Sequence, residues 1–121
     1  MRLTSDRRTH TDAVEDPVVR AIVRLMSSTS PDEIETVADY LGASADSRAI
    51  GPLASRLADS RVHDDPDVEN AVCSSLVSLG AMRQRGNLNY VFVDPDRLDP
   101  LARDALRRLS SILPRRYIQA S

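Results

Sequence analysis

The sequence has few of the residues on which several kinds of functional site depend. Of its 121 residues, 3% are aromatic, one is cysteine and two are histidine. So few aromatics exclude a platform that stacks the bases of single-stranded nucleic acid. The single Cys73 excludes an intramolecular disulfide and a cysteine-based zinc site. His10 and His63 leave little material for histidine-dependent catalysis or metal binding.

Long apolar runs are also absent. No run approaches the roughly 20 residues of a membrane-spanning helix, and no apolar segment follows the basic N-terminus as it would in a signal peptide. We therefore expect a cytoplasmic protein with no membrane partner. With 41% hydrophobic and 28% charged residues, a chain of this length can bury the core of a single domain.

Lysine is missing, so all 16 basic side chains are arginine. Residues 1–82 carry 14 acidic side chains and 8 arginines, a net charge of −6, whereas residues 83–121 carry 8 arginines and 4 aspartates, a net charge of +4. One interpretation is the arginine codon bias of a GC-rich bacterial genome. The other is a basic C-terminal surface that attracts an acidic partner or phosphate.

Apolar residues recur at helical spacing in five segments and predict an all-α domain over 13–113. The predicted helices cover 13–28, 31–42, a third segment that opens near Asp46 or Ser47, 68–80 and 97–113. Residues 59–67, before the fourth of these helices, are predicted to be a polar, turn-rich loop. Residues 1–12 are predicted to be a flexible polar arm and 114–121 a basic tail. The only strand-like run is Leu88–Val93, which forms either a packed extended loop or a small hairpin.

Two short motifs occur twice in the same order. The first, Arg20-Ala21-Ile22, returns as Arg48-Ala49-Ile50. The second, Leu41-Gly42-Ala43, returns as Leu79-Gly80-Ala81. Each copy therefore opens a helical pair on Arg-Ala-Ile and closes it on Leu-Gly-Ala, which indicates an internal repeat.

Residues 36–82 resemble bacterial HEAT repeats. The segment carries the family's pattern in order, as Leu41-Gly42, Asp46–Leu53, Leu57-Ala58-Asp59, Asp65-Pro66-Asp67-Val68 and Leu79-Gly80. The resemblance implies a short right-handed α-solenoid of about two HEAT-like helical hairpins, closed by helix 97–113 as a C-terminal capping helix.

The resemblance also gives individual residues a role. Gly42 and Gly80 are expected at tight turns where a β-carbon would collide, and Asp46 and Asp67 are expected to cap the helices that follow them. Because HEAT arrays are mostly binding scaffolds, the resemblance implies a non-catalytic module that binds a protein partner.

Groups that could support catalysis or metal binding are scarce. The densest polar cluster has no spacing typical of a calcium loop and more simply caps the following helix; its members are His63, Asp64, Asp65, Asp67 and Glu69. Cys73 is interpreted as an inert buried thiol, the alternative being covalent attachment, since some HEAT proteins resemble bilin lyases. No serine–histidine–carboxylate set and no Gly-rich phosphate loop is present. We expect no enzyme activity, no metal and no cofactor.

The candidate partner-binding residues lie in the C-terminal third and are Tyr90, Phe92, Arg97, Arg103, Arg107 and Arg108. The alternative for the two aromatics is core packing under the last helix. For the arginines it is the solvated back of that helix, partly neutralised by Asp99 and Asp104.

Three other hypotheses stay open. One is a nucleic-acid-binding regulator that uses the arginine patch, which also includes Arg83, Arg85, Arg115 and Arg116. A second is an accessory subunit of a modifying enzyme. The third concerns assembly, because an uncovered apolar face on helix 13–28, at the open solenoid end, could form a homodimer.

Overall fold

The chain is mostly helical over residues 16–86 and 89–118, the ranges that the computed structural model describes. Its six α-helices there are α1 (Pro17–Ser27), α2 (Pro31–Ala43), α3 (Ile50–Leu57), α4 (Ser60–His63), α5 (Pro66–Ser78) and α6 (Pro100–Leu109). Short 3-10 turns lie at Ser47–Ala49, Pro95–Arg97 and Arg115–Tyr117. The predicted helical class is confirmed, whereas the predicted arm, residues 1–12, lies outside the described residues.

The run that resembled a strand belongs to a hairpin. Strand β1 (Met82–Gln84) pairs antiparallel with β2 (Tyr90–Phe92), and Met82 lies opposite Phe92. A further backbone hydrogen bond, from Val93 N to Ala81 O at 2.9 Å, continues the pairing toward α5. Of the two forms left open by the sequence, the structure has the hairpin. Its first strand carries no alternating apolar pattern that would have predicted it.

The core lies where α5 packs against α2 and α3. Helix α1 packs on α2 and α3, and α6 packs on α3. Five side chains at this centre have no exposed surface: Leu41, Leu53, Leu57, Val72 and Leu76. The burial of each of these side chains stabilises the fold by about 2 kcal/mol, because its apolar surface is removed from water. None of the helices among the described residues is long and apolar enough to cross a membrane.

Four of the six helices begin with a polar cap followed by proline, and Asp46 caps the 3-10 turn that precedes α3. The Ser30 hydroxyl accepts from Glu33 N at 3.4 Å, and Asp46 accepts from Arg48 N at 3.0 Å, as the sequence predicts. The predicted cap at Asp67 is wrong, because Asp65 accepts from Asp67 N at 3.1 Å instead. Pro66 occupies the first helical position, where the missing N–H costs nothing, so the residue before it becomes the cap.

Gly42 is needed for helix packing and not for a turn. Helix α2 continues past it to Ala43, and a Cβ on Gly42 would lie 2.8 Å from Ser75 Cα on α5. The Ser75 hydroxyl lies 2.6 Å from Ala38 O across this contact. At Gly80 the predicted turn is present, with φ +82, but a Cβ there would meet no atom within 4 Å. The predicted collision therefore occurs at Gly42, for a different reason, and does not occur at Gly80.

The predicted boundaries are wrong for two segments. Residues 59–67, predicted to be a polar loop, contain α4, where Asp59 accepts from Arg61 N at 2.9 Å and Val62 is fully buried. The last helix spans Pro100–Leu109 and not 97–113. It begins at Pro100 because helical backbone is unfavourable for the residue before a proline. Asp99 therefore caps α6 by accepting from Ala102 N at 2.9 Å. The spacing of apolar residues alone predicts neither helix α4 nor the start of α6.

Ala45 has a positive φ of 56°, in the turn after α2. This left-handed conformation is unfavourable for a residue with a β-carbon, whereas glycine adopts it freely. We expect Ala45→Gly to raise the free energy of unfolding by about 0.5–1 kcal/mol. Urea denaturation measures the change, with Ala43→Gly, at the last residue of α2, as the control that should not raise stability. A destabilised Ala45→Gly protein would show that this turn is not strained.

Candidate partner-binding groove

A surface groove of about 630 Å³ lies where the hairpin meets α6. We call it the C-terminal groove. Six of the residues that line it are apolar: Phe92, Val93, Pro95, Leu106, Leu113 and Ile118. The other four are polar: Arg83, Asp94, Arg97 and Ser110. A concave apolar floor with a few polar groups is typical of a binding site.

The floor of the C-terminal groove is buried core. Phe92, Leu106 and Leu113 are 5%, 4% and 6% exposed. Phe92 comes from the end of β2 and Leu106 from the inner face of α6. The hairpin and α6, which follow each other in the chain, thus present one apolar surface.

A short turn places the polar side chains beside this floor. The Asp94 carboxylate accepts from Asp96 N at 3.0 Å and so caps the 3-10 turn Pro95–Arg97. This bond fixes the orientation of the Asp94 carboxylate beside the groove and leaves its negative charge in place. Arg97 ends the turn and, like Arg83 on β1, is exposed. Neither arginine takes part in an ion pair within residues 16–86 and 89–118.

The C-terminal segment forms another wall and is fixed to α5. Tyr117 is 2% exposed and packs edge-on against Phe92, with ring centroids 6.5 Å apart. Its hydroxyl donates to the Glu69 carboxylate, which also accepts from the Arg116 guanidinium at 2.6 Å. The guanidinium lies 4.9 Å from the Tyr117 ring centroid. Residues 114–118 of the predicted basic tail are therefore held against the domain by a buried aromatic.

Glu69 binds two groups through one carboxylate, Tyr117 and Arg116, and its charge also acts on the Cys73 thiol, which has no exposed surface. Burial raises the pKa of Tyr117, and the hydrogen bond to Glu69 raises it further. Burial, followed by the charge of Glu69, raises the pKa of the Cys73 thiol to about 12. Both groups are neutral near pH 7, so they serve packing and hydrogen bonding and not acid–base chemistry.

The raised pKa and full burial of Cys73 lead to a direct expectation. Because the thiolate is the reactive form, a thiol reagent such as Ellman's reagent should leave the folded protein unmodified at neutral pH. It should modify one thiol per chain once the protein is unfolded in guanidinium. Rapid modification of the folded protein would contradict this placement and would revive the hypothesis of covalent attachment.

The predicted site residues divide between the groove and other places. Phe92 and Arg97 line the C-terminal groove. Tyr90 is 7% exposed, and its hydroxyl donates to Asn70 Oδ1 at 2.8 Å, so it ties β2 to α5. Tyr90 and Phe92 are therefore both packed in the core, which was the alternative to partner binding, although Phe92 also lines the groove.

The arginines of α6 do not line the groove. Arg107 forms an ion pair with Asp96, not with the Asp99 or Asp104 expected to neutralise it. Arg103 is half-buried, and Arg108 is exposed. Of the four arginines predicted to bind a partner, Arg97 alone lines the groove, beside Arg83 of the wider arginine patch.

The acidic cluster at 63–69 has structural tasks. His63 Nδ1 lies 2.8 Å from Leu57 O, Asp65 caps α5, and Glu69 holds the C-terminal segment. Across the described ranges, no three histidine, cysteine or acidic side chains are placed to hold a metal ion.

Several residues that build the groove escaped sequence reasoning. Leu106 and Leu113 belong to the predicted stripe of the last helix, and Arg83 to the arginine patch, but nothing local joins them. The pair Glu69 and Tyr117 is 48 residues apart in sequence. Only co-variation between homologues could have signalled that contact.

The face predicted to be the open solenoid end also has exposed apolar side chains. Val19, Val23 and Met26 on α1 are 39%, 60% and 44% exposed. They lie beside Arg20 and Arg24, which line a smaller groove of about 360 Å³ between α1 and α2. Homodimerisation through this face stays a prediction.

No protein-family model, no curated protein and no solved structure matches the chain. The resemblance to HEAT repeats therefore stays a prediction from the sequence motifs.

Proposed function

We propose that this protein is a non-catalytic interaction module that binds a segment of a protein partner in the C-terminal groove. The observation that carries the proposal is the groove itself, about 630 Å³ of concave surface with a buried apolar floor and an exposed polar edge. Such a surface accepts an apolar side chain of a partner and removes it from water, which is how small grooves anchor protein segments.

The helical framework supports the same proposal. Helix α1 packs on α2, α3 packs on α5, and the two pairs contact each other through α1–α3 and α2–α5. This contact pattern agrees with the two stacked hairpins of a HEAT-like solenoid. In that arrangement α6 and the β-hairpin form a cap on the two helical pairs. The C-terminal groove lies in this cap, outside the repeated part of the fold.

Nucleic-acid binding is a second candidate. Its support is a set of exposed arginines that join none of the ion pairs among the described residues: Arg83, Arg85, Arg97, Arg108 and Arg115. Against it stand the net charge of −2 and the apolar floor of the groove. Binding that weakens steeply with salt and responds equally to Arg97→Gln and Arg108→Gln would favour this candidate.

A blocking variant tests the proposed function. Ser110 lines the groove and is exposed, so Ser110→Tyr fills the space without entering the core. Its neighbour Ser111 is exposed but does not line the groove, which makes Ser111→Tyr a matched control. A phage library of random linear peptides is selected on the wild-type protein. We expect enriched peptides to bind wild type and Ser111→Tyr and to lose binding to Ser110→Tyr. Enriched peptides that bind all three proteins equally would contradict the proposal.

A further inference from the structure

The C-terminal groove has a charge preference that its apolar floor does not explain. Two of its lining residues are arginines and one is an aspartate. The Asp94 carboxylate is engaged as the cap of the 3-10 turn, accepting from Asp96 N at 3.0 Å. Arg83 and Arg97 are both exposed and form no ion pair with any described residue. The groove lining therefore carries two arginines without an ion-pair partner among the described residues against one aspartate, an excess of one positive charge.

Neighbouring arginines outside the groove differ from Arg83 and Arg97 because they are already paired with carboxylates. Arg107 pairs with Asp96, and Arg116 pairs with Glu69, so these two carboxylates are already occupied by arginines outside the groove. An arginine left beside an apolar surface keeps five N–H donors directed at solvent. A carboxylate is the group that the planar guanidinium binds best, through paired N–H···O bonds.

The N-terminal residues of the same chain do not supply such a ligand. Residues 1–15 carry Arg2, Arg7 and Arg8 against Asp6, Asp12 and Glu15, so they have no acidic excess. A second copy of the chain would offer its acidic helix α2. The exposed apolar side chain of that helix is Tyr40, which is 46% exposed but lines the other groove. Charge and hydrophobicity together favour a separate protein as the occupant.

We propose that the C-terminal groove binds an acidic segment of a partner protein, with an apolar side chain against Phe92 and Leu106 and carboxylates on Arg83 and Arg97. This inference rests on the proposed function, because it names the chemistry of the segment that the groove accepts. The apolar contact provides most of the affinity, while the carboxylates select acidic over basic segments.

The test uses the peptides selected on the wild-type protein that lose binding to Ser110→Tyr. We expect them to be rich in aspartate and glutamate beside a large apolar residue. A synthetic copy of the strongest one, labelled with a fluorophore, is titrated against wild type, R83Q, R97Q and the double variant. Each single variant should weaken binding by about threefold to fivefold and the double variant by about tenfold or more.

Matched controls separate local pairing from general attraction. Arg108 is exposed and lies outside the groove, so R108Q should leave the affinity within about twofold. Replacing each glutamate of the peptide by glutamine should weaken its binding to wild type but not to the double variant, as expected for directly coupled groups.

Each outcome bears on the inference. Groove-dependent peptides that are basic or uncharged, or an affinity unchanged in the double variant, would overturn the acidic segment while leaving the proposed function intact. The absence of any groove-dependent peptide would overturn both. A wild-type protein that light scattering shows to be dimeric, with Ser110→Tyr monomeric, would assign the groove to a second copy and overturn the inference.

Discussion

Replacing Gly42 by alanine should lower the free energy of unfolding by about 3 kcal/mol, a cost typical of overpacking at a tight contact. The added Cβ would lie 2.8 Å from Ser75 Cα and 2.9 Å from its Cβ and Oγ. Because the nearest atom belongs to the α5 backbone, no rotation of a side chain relieves the overlap. The helices must separate, which also weakens the contact between the Ser75 hydroxyl and Ala38 O. Urea denaturation followed by circular dichroism measures the loss.

The control for this prediction is Gly51→Ala in α3. A Cβ there would lie 3.1 Å from the Ala105 side chain and would need a shift of only a few tenths of an ångström. We expect that variant to change stability by no more than about 1 kcal/mol, since the gain in helix propensity offsets the small overlap. Equal effects at both glycines would show that α2 and α5 do not approach as closely as described.

Replacing Tyr117 by alanine should cost about 4 kcal/mol, as for other buried aromatics. The side chain is 2% exposed, packs against Phe92 and donates its hydroxyl to Glu69. Its removal leaves a cavity below the C-terminal groove and releases the segment that carries Ile118. Thermal or urea unfolding of the variant measures the loss of stability.

The milder Tyr117→Phe separates the ring from the hydroxyl. The ring contact with Phe92 is kept, and Glu69 still accepts from Arg116 at 2.6 Å, so the expected loss is about 1 kcal/mol. If Tyr117→Ala were as stable as wild type, the segment after Pro114 would be the tail that the sequence suggests, and the groove would lose one wall.

The sequence predicted those features of the fold that depend on residues close together in the chain. Ser30 before Pro31, and the apolar stripe from Val68 to Leu76, are local signals, and the helices they predict are present. Asp65 in place of Asp67, and the start of α6 at Pro100, were missed although proline chemistry explains both.

The rest depends on contacts between distant residues. Gly42 was singled out for a turn, but its partner Ser75 lies 33 residues further along the chain. The groove joins Arg83, Phe92, Arg97 and Leu106 through a hairpin whose first strand has no strand pattern. An arginine patch was visible in the sequence, but which arginines pair with acids and which face a groove follows only from the fold.

The claim that the C-terminal groove binds a protein segment is tested most directly by mapping amide chemical shifts of the labelled protein during titration with a groove-selected peptide. We expect the largest shifts at Phe92, Leu106, Leu113 and Ile118, with little change on α1. Shifts centred on Val19, Val23 and Met26, or no saturable shifts at all, would contradict it.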